Sequence, residues 1–271
     1  MKYKLFLWIN QSNGDTLGMI PLIEAIKKQY PETDIIFGCY HDHAYLLEHL
    51  PIKILPVYGD YKNMAFRTIP NYFIDKIKDQ IPSDFISIHL GGGHYGHKHT
   101  WQDQVKTFNN QCKENDVDMF IDDSDFGYIE LPLLDFEVKD KSVYVENSHT
   151  VSGQTDFQFD LYKYSLMFPR LNFYTTGSVN FSAKNIFDCS KLNFIELSNI
   201  SRKCSLILGK GSGPFFCTLN ETNKNKIKCL AGLKSQWKYK FWNLDDENTI
   251  LVDTEEEVIN LLRLLSRDKT Q

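Results

Sequence analysis

The sequence predicts an α/β protein made of two units, each built on a mostly parallel sheet. Two observations carry this prediction. Short apolar runs alternate with amphipathic helical segments from residue 4 to residue 90, and the same alternation resumes at residue 142. Strands that alternate with helices form β-α-β units, whose sheets are parallel. We therefore place a boundary near residue 140 and expect domains of residues 1–140 and 141–271.

The first unit is expected to contain four strands. The apolar run at residues 4–9 reads as a buried strand, and residues 16–30 as an amphipathic helix that ends before Pro31. The next elements are strand 34–38, helix 41–50, strand 52–57, helix 71–80 and strand 85–90. Between residues 91 and 140 the pattern weakens, and only residues 100–114 are expected to be helical.

The second unit repeats the alternation. Its expected elements are strand 142–146, helix 156–168, strand 171–175, helix 194–203 and strand 205–208. A glycine-rich loop at residues 209–214 then opens a further helix, followed by the strands 227–230 and 250–252. Residues 255–266 form the terminal helix, because their apolar side chains recur at helical spacing.

Composition narrows the class of protein. Of the 271 residues, 42% are hydrophobic and 24% are charged, which is typical of a globular chain. The formal charge of -5 argues against general binding to nucleic acid. The six cysteines are scattered without a C-x-x-C pair, so buried free thiols are expected. The N-terminal apolar run is too short for a signal peptide, and no stretch is long enough to span a membrane. We expect a cytoplasmic protein.

The first candidate site is the loop that joins the first strand to the first helix. In open α/β sheets, ligands bind outside the carboxyl ends of the strands, where this loop is expected to lie. The loop includes Asn13, Gly14 and Asp15. Gly14 permits close approach of the backbone to a ligand. Asp15 has two interpretations that the sequence leaves open: a cap of the helix N-terminus or a catalytic carboxylate.

The second candidate site is the glycine-rich loop after strand 205–208. Its residues are Gly209, Lys210, Gly211, Ser212, Gly213 and Pro214. Such a loop between a strand and a helix presents backbone N–H groups to a phosphate. The spacing matches neither the P-loop nor the dinucleotide-binding fingerprint. A tight turn that simply needs glycine remains the alternative.

Histidines and one glutamate add further candidates. Four of the eight histidines fall between His89 and His99. This segment, with His94 and His97, is open to three interpretations: a metal site, a substrate-contacting loop at a cleft between the domains, or an exposed loop. Glu146 ends a strand at the entry to the second unit, which places it near the same presumed cleft.

Residues 14–35 resemble the start of bacterial heptosyltransferases, which are glycosyltransferases of the GT-B fold with two facing Rossmann-like domains. The matching residues are Gly14, Asp15, Pro21, Leu22, Tyr30 and Pro31. The resemblance implies that residues 1–140 form the acceptor side, and that Asp15 is the general base that deprotonates the acceptor hydroxyl.

The glycine-rich loop resembles the donor loop of the same family, a strand followed by G-x-D-S/T-G-P. Gly209, Ser212, Gly213 and Pro214 match, whereas Gly211 stands where the family has aspartate. The resemblance implies that residues 141–271 form the donor-nucleotide side.

Taken with these motifs, the resemblance implies a transferase of polysaccharide biosynthesis. It would move a sugar from a nucleotide-sugar donor to a glycan, a lipid-linked glycan or another hydroxyl acceptor, without a metal or other cofactor. Nucleic acid is not an expected partner, and peripheral contact with a membrane stays open. Two alternatives remain: a non-catalytic nucleotide- or sugar-binding protein of the same fold, and a metal-dependent hydrolase that uses the histidines.

Overall fold

The computed structural model describes residues 2–59, 70–91, 101–122, 127–148, 155–232 and 248–267, without the side chains of residues 101–103. The chain forms two compact units; among the described residues, the first ends at Glu130 and the second begins at Leu131. Residues 131–140 therefore lie with the second unit, not with the first as we predicted. Hydrogen bonds tie this segment there: the Leu134 N–H donates to Asn199 Oδ1 (2.9 Å), and Asn199 Nδ2 donates to the Pro132 carbonyl (2.8 Å).

The first unit is built on a four-stranded parallel sheet. Its strands are β1 (Lys4–Trp8), β2 (Asp34–Tyr40), β3 (Lys53–Val57) and β4 (Ile86–His89), in the order β3-β2-β1-β4. Its helices are α1 (Asn13–Gln29), α2 (Pro70–Ile74) and α3 (Trp101–Glu114). All described pairings are parallel, as predicted.

Two predicted helices of this unit are wrong in length or type. In place of helix 41–50 there is a 3₁₀ helix, His41–Leu46, which turns the chain within the short connection from β2 to β3 and buries His43 and Leu46. Helix 71–80 is divided into α2 and a 3₁₀ turn, Lys78–Gln80. Hydrogen bonds such as the one from the Gln80 N–H to the Ile77 carbonyl (2.8 Å) have 3₁₀ spacing. The side chains of Phe73 and Ile77 are nevertheless buried, as a helix would have buried them.

The second unit is built on a six-stranded parallel sheet. Its strands are β5 (Ser142–Val145), β6 (Asn172–Thr175), β7 (Ile186–Asp188), β8 (Leu206–Gly209), β9 (Ile227–Ala231) and β10 (Thr249–Val252). Its helices are α4 (Leu161–Met167), α5 (Phe194–Lys203), α6 (Gly213–Phe216) and α7 (Glu255–Ser266). The strand order is β10-β9-β8-β5-β6-β7.

Two elements of the second unit differ from expectation. Strand β7 was not predicted; it has only three residues and lies at the edge of the sheet. The helix expected from residue 156 begins at Leu161, because the Asp160 carboxylate caps it by accepting the Lys163 N–H (3.0 Å).

Each sheet winds outward from its first strand. Counted within its own unit, the first sheet has the order 3-2-1-4 and the second has 3-2-1-4-5-6. This is the doubly wound arrangement, and it confirms the predicted α/β class with Rossmann-like units. The order reverses beside β1 and β4 in the first unit, and beside β5 and β8 in the second. Ligands bind at such reversals, so the loops after these strands are the candidate sites.

The central strands of the sheets are buried on both faces, as strands of parallel sheets usually are. Strands β1 and β8 therefore consist almost entirely of buried apolar residues, which explains why they were readable from the sequence. All six cysteines are free and buried, which confirms the expectation of unpaired thiols. Among the described helices, none combines the length and the apolar character that crossing a bilayer requires.

Candidate functional site

The predicted loop residues lie at the carboxyl ends of the strands that flank the two reversals. In the first unit, Asn10 follows β1 and Gly91 follows β4. In the second unit, Glu146 follows β5 and Lys210 follows β8. These residues therefore follow the strands that flank the reversals, while a role in ligand binding stays a prediction.

Asp15 lies in the first turn of α1, which begins three residues earlier than predicted. Its Oδ2 accepts hydrogen bonds from the Ser12 N–H (2.9 Å) and from Ser12 Oγ (2.7 Å). The side chain of Asp15 is half-buried. The capping interpretation therefore holds in this structure, and it occupies one of the two carboxylate oxygens. Asn13 and Gly14 form the same first turn.

A buried histidine that we did not predict lies beside Thr16, the residue that follows Asp15. His43 Nδ1 is 3.3 Å from Thr16 Oγ1, and only 1% of His43 is exposed. Burial lowers the pKa of His43 to about 4, although the charges of Asp42 and Asp15 oppose the shift. His43 is therefore neutral near pH 7. It comes from the turn that follows β2, the neighbour of β1, so only the strand order places it here.

Side chains join the ends of β1 and β4. His89 stacks on Trp8 with ring centroids 3.9 Å apart, and its Nε2 lies 3.1 Å from Asn10 Oδ1. Gln11 Nε2 donates to the Gly91 carbonyl (2.7 Å). A Cβ on Gly91 would lie 2.8 Å from His89 Nε2 and 2.9 Å from Asn10 Oδ1, so the polar contact requires glycine.

Two of the predicted residues, His94 and His97, lie outside the described residues. In the part of the chain that is described, no group of three or more His, Cys, Asp or Glu residues could hold a metal ion. The interpretations of the histidine segment therefore remain predictions.

The second candidate site is organised by Glu146. Its side chain is fully buried; Oε2 accepts the Lys210 N–H (2.6 Å), and Oε1 accepts the Ser212 hydroxyl. Burial raises the pKa of Glu146, while the bonds from Ser212 and Lys210 and the Lys210 charge counteract the shift. Lys210 is only 2% exposed, and burial lowers its pKa against the attraction of Glu146. The structure thus places Glu146 against the glycine-rich loop.

Two glycines of this loop are required for different structural reasons. Gly211 has φ of +76°, a left-handed conformation that favours glycine. A Cβ on Gly209 would overlap the ring of Phe215. Among the described residues, the N–H groups of Gly211 and Gly213 donate to no protein acceptor.

The helix that this loop opens, as predicted, is a single short turn. Helix α6 has four residues and includes Pro214, whose carbonyl accepts the Tyr144 hydroxyl (2.6 Å). A single turn sums few peptide dipoles, so its N-terminus is a weak anion site by itself. Any anion bound here depends mainly on the loop N–H groups and on nearby side chains.

No protein-family model matches this chain, and no curated protein matches it in sequence. Solved structures do match its fold. A glycosyl transferase family 9 protein from Veillonella parvula DSM 2008 has a TM-score of 0.63 and 10% identity, covering 99% of this chain and 90% of its own.

Two further structures share the fold. The E. coli heptosyltransferase WaaC, solved with ADP-2-deoxy-2-fluoro heptose, has a TM-score of 0.65 and 9% identity, covering 96% of this chain and 99% of its own. A Listeria monocytogenes protein described as a candidate UDP-N-acetylglucosamine 2-epimerase has a TM-score of 0.58 and 12% identity, covering 99% and 89%. The chain thus has the fold of heptosyltransferases and of family 9 glycosyl transferases, with sequence divergence that leaves its chemistry to be argued from its own residues.

Proposed function

We propose that this protein is a glycosyltransferase that moves a sugar from a nucleotide-sugar donor to a hydroxyl group of a glycan or lipid-linked glycan. The observation that carries the proposal is the position of Asp15, a half-buried carboxylate after the first strand of a heptosyltransferase-like fold. The resemblance in residues 14–35 supports the same assignment.

Asp15 would act as the general base. Ser12 occupies Oδ2, which leaves Oδ1 without a protein donor among the described residues. In the proposed step, Asp15 takes the proton of the acceptor hydroxyl as that oxygen bonds to the anomeric carbon. The bond from the anomeric carbon to the diphosphate breaks, and its electron pair leaves with the nucleoside diphosphate.

The glycine-rich loop would hold the donor diphosphate. The N–H groups of Gly211 and Gly213 supply donors, and Gly209, Ser212 and Pro214 shape the turn. Preorganised backbone donors stabilise the charge that develops on a leaving diphosphate. We propose that transfer proceeds without a metal ion, in keeping with this donor set.

A thermal-shift screen against ADP-, GDP- and UDP-sugars, whose leaving groups are nucleoside diphosphates, tests the proposal. A donor at about 100 times its dissociation constant adds roughly 2.7 kcal/mol of stability, which raises Tm measurably. The donor that gives the shift is then incubated with candidate acceptors, and the glycosylated product is sought by mass spectrometry. A protein that no nucleotide sugar stabilises would contradict the proposal.

A second candidate is a non-catalytic nucleotide- or sugar-binding protein. The glycine at position 211 favours this candidate, because the donor loops of heptosyltransferases have an aspartate at that position. Such a protein would show saturable nucleotide binding with neither transfer nor hydrolysis of the donor. Product analysis with the donor found in the screen separates the two candidates.

A further inference from the structure

We infer that Glu146 is the positioning residue of the glycine-rich loop, fixing residues 210–212 in the conformation that binds a nucleoside diphosphate. The inference rests on the proposed function for the identity of the ligand. It assigns to Glu146 a role in shaping the donor loop, in place of the contact with acceptor or cleft that the sequence predicted.

The sheet brings Glu146 to the loop. Strands β5 and β8 are hydrogen-bonded neighbours, with Val145 paired to Leu208, and the Glu146 N–H continues the ladder by donating to the Leu208 carbonyl (2.8 Å). The side chain that follows β5 therefore starts beside the residues that follow β8. Because the two strands are adjacent, the carboxylate reaches the loop directly from the end of β5.

Both carboxylate oxygens are used on the two residues that flank Gly211. Lys210 donates its N–H to Oε2, and Ser212 donates its hydroxyl to Oε1. Gly211 between them has φ of +76°. The loop is thus held on each side of its left-handed residue, which fixes the direction of the bend.

The burial of the Glu146 carboxylate indicates that it has a specific role in the loop. Leaving a carboxylate in a dry interior is costly unless its oxygens accept hydrogen bonds and an opposite charge is near. Glu146 is fully buried and meets both conditions through the loop and Lys210. If residue 146 served only to fill the core, an apolar side chain would pack there without the cost of burying a carboxylate.

The consequence for binding is preorganisation. A loop that is already bent does not have to be ordered when the diphosphate arrives, so less of the binding energy is lost. Glu146 and Lys210 attract each other electrostatically near the site. The N–H groups of Gly211 and Gly213 then remain for the anion.

The test measures binding of ADP, GDP and UDP by calorimetry, with adenosine, guanosine and uridine as the matching nucleosides. Glu146→Ala is expected to weaken binding of whichever diphosphate the wild type binds by about tenfold, while nucleoside binding changes by less than about twofold. Glu146→Gln is expected to restore only part of the affinity, because its amide oxygen accepts the Lys210 N–H and its amide nitrogen donates to Ser212 Oγ, whereas the Ser212 N–H loses its acceptor.

A matched control removes general destabilisation as the cause. Val258 is fully buried in the core of the same unit, so Val258→Ala lowers stability without touching the loop. It is expected to leave both affinities unchanged. If Glu146→Ala fails to fold, Glu146→Met takes its place, because methionine fills the volume without accepting these bonds.

Amide hydrogen exchange at Lys210, whose N–H donates to the Glu146 carboxylate, gives a readout without ligand. Glu146→Ala is expected to exchange about tenfold faster there than Val258→Ala. Unchanged diphosphate affinity in Glu146→Ala would overturn the inference and leave the proposed function standing. A wild-type protein that binds none of ADP, GDP and UDP would instead contradict the proposed function. Loop exchange would then decide the role of Glu146 by itself, and an unchanged rate would overturn it.

Discussion

Ser12 and Asp15 bind each other at the first turn of α1, where both the N–H and the hydroxyl of Ser12 donate to a single oxygen, Asp15 Oδ2. The contact is a helix cap, and it also fixes the carboxylate in place. A general base works best when it is held in reach of the proton it removes. Capping and catalysis, which compete as interpretations of the sequence, are therefore compatible in this geometry.

His43 should make the stability of the protein depend on pH. Its pKa in the folded protein is about 4, below the ordinary value of 6.5. The unfolded chain therefore binds the proton first, and stability falls as the pH drops from about 6.5 to about 4. The full shift corresponds to roughly 3 kcal/mol. We expect His43→Gln to lose less stability than the wild type between pH 7 and pH 4.5 in urea unfolding; equal losses would contradict the assignment.

Glu24 should change the pH dependence of stability in the direction opposite to that of His43. Burial, with help from the charge of Glu130, raises its pKa from 4.5 to about 7. The folded protein therefore holds the proton more tightly, and this contribution is present at low pH and lost as the pH rises through 7. Because the side chain keeps contact with solvent, we expect about 1 kcal/mol. Glu24→Gln should raise Tm at pH 8 and leave it unchanged at pH 4; a gain that is equal at both values would refute this.

Gly211 should tolerate asparagine better than alanine. Its φ of +76° is strained for residues with a Cβ, and asparagine adopts the left-handed region more readily than alanine. We expect Gly211→Ala to cost about 1–2 kcal/mol of stability and Gly211→Asn clearly less. Chemical denaturation of the two variants compares them directly. Equal costs would mean that the backbone at this residue is not under conformational constraint.

The fold was readable where local pattern and tertiary burial agree. Strands β1 and β8 were predicted because both faces of a parallel sheet select apolar side chains, and α7 because its apolar residues recur at helical spacing. Strand β7 has three residues at a sheet edge, too few to produce a pattern. Segment 41–46 has the length of a helix turn, but its 3₁₀ form depends on the short connection it spans.

The candidate sites were readable only in part, for a different reason. Asp15 and Gly213 come a few residues after apolar runs, so their place at the start of a helix that follows a strand is visible in the sequence. The contacts of Glu146 with Lys210 and Ser212 join residues more than sixty positions apart. These contacts exist because β5 and β8 are neighbours in the sheet. The order of strands in a sheet cannot be predicted from the local pattern of apolar residues. The burial of His43 depends on the same kind of information.

The most direct test of the account is the turnover of Asp15→Asn with the donor that the thermal-shift screen identifies. Asparagine keeps an oxygen that accepts the Ser12 N–H, so Tm should change little. Asp34→Asn, the same substitution at the opposite end of the first sheet, serves as the matched control. We predict that kcat falls by about 10²–10⁴-fold in Asp15→Asn and stays at the wild-type value in Asp34→Asn. Near-wild-type transfer by Asp15→Asn would contradict the assignment of Asp15 as the base.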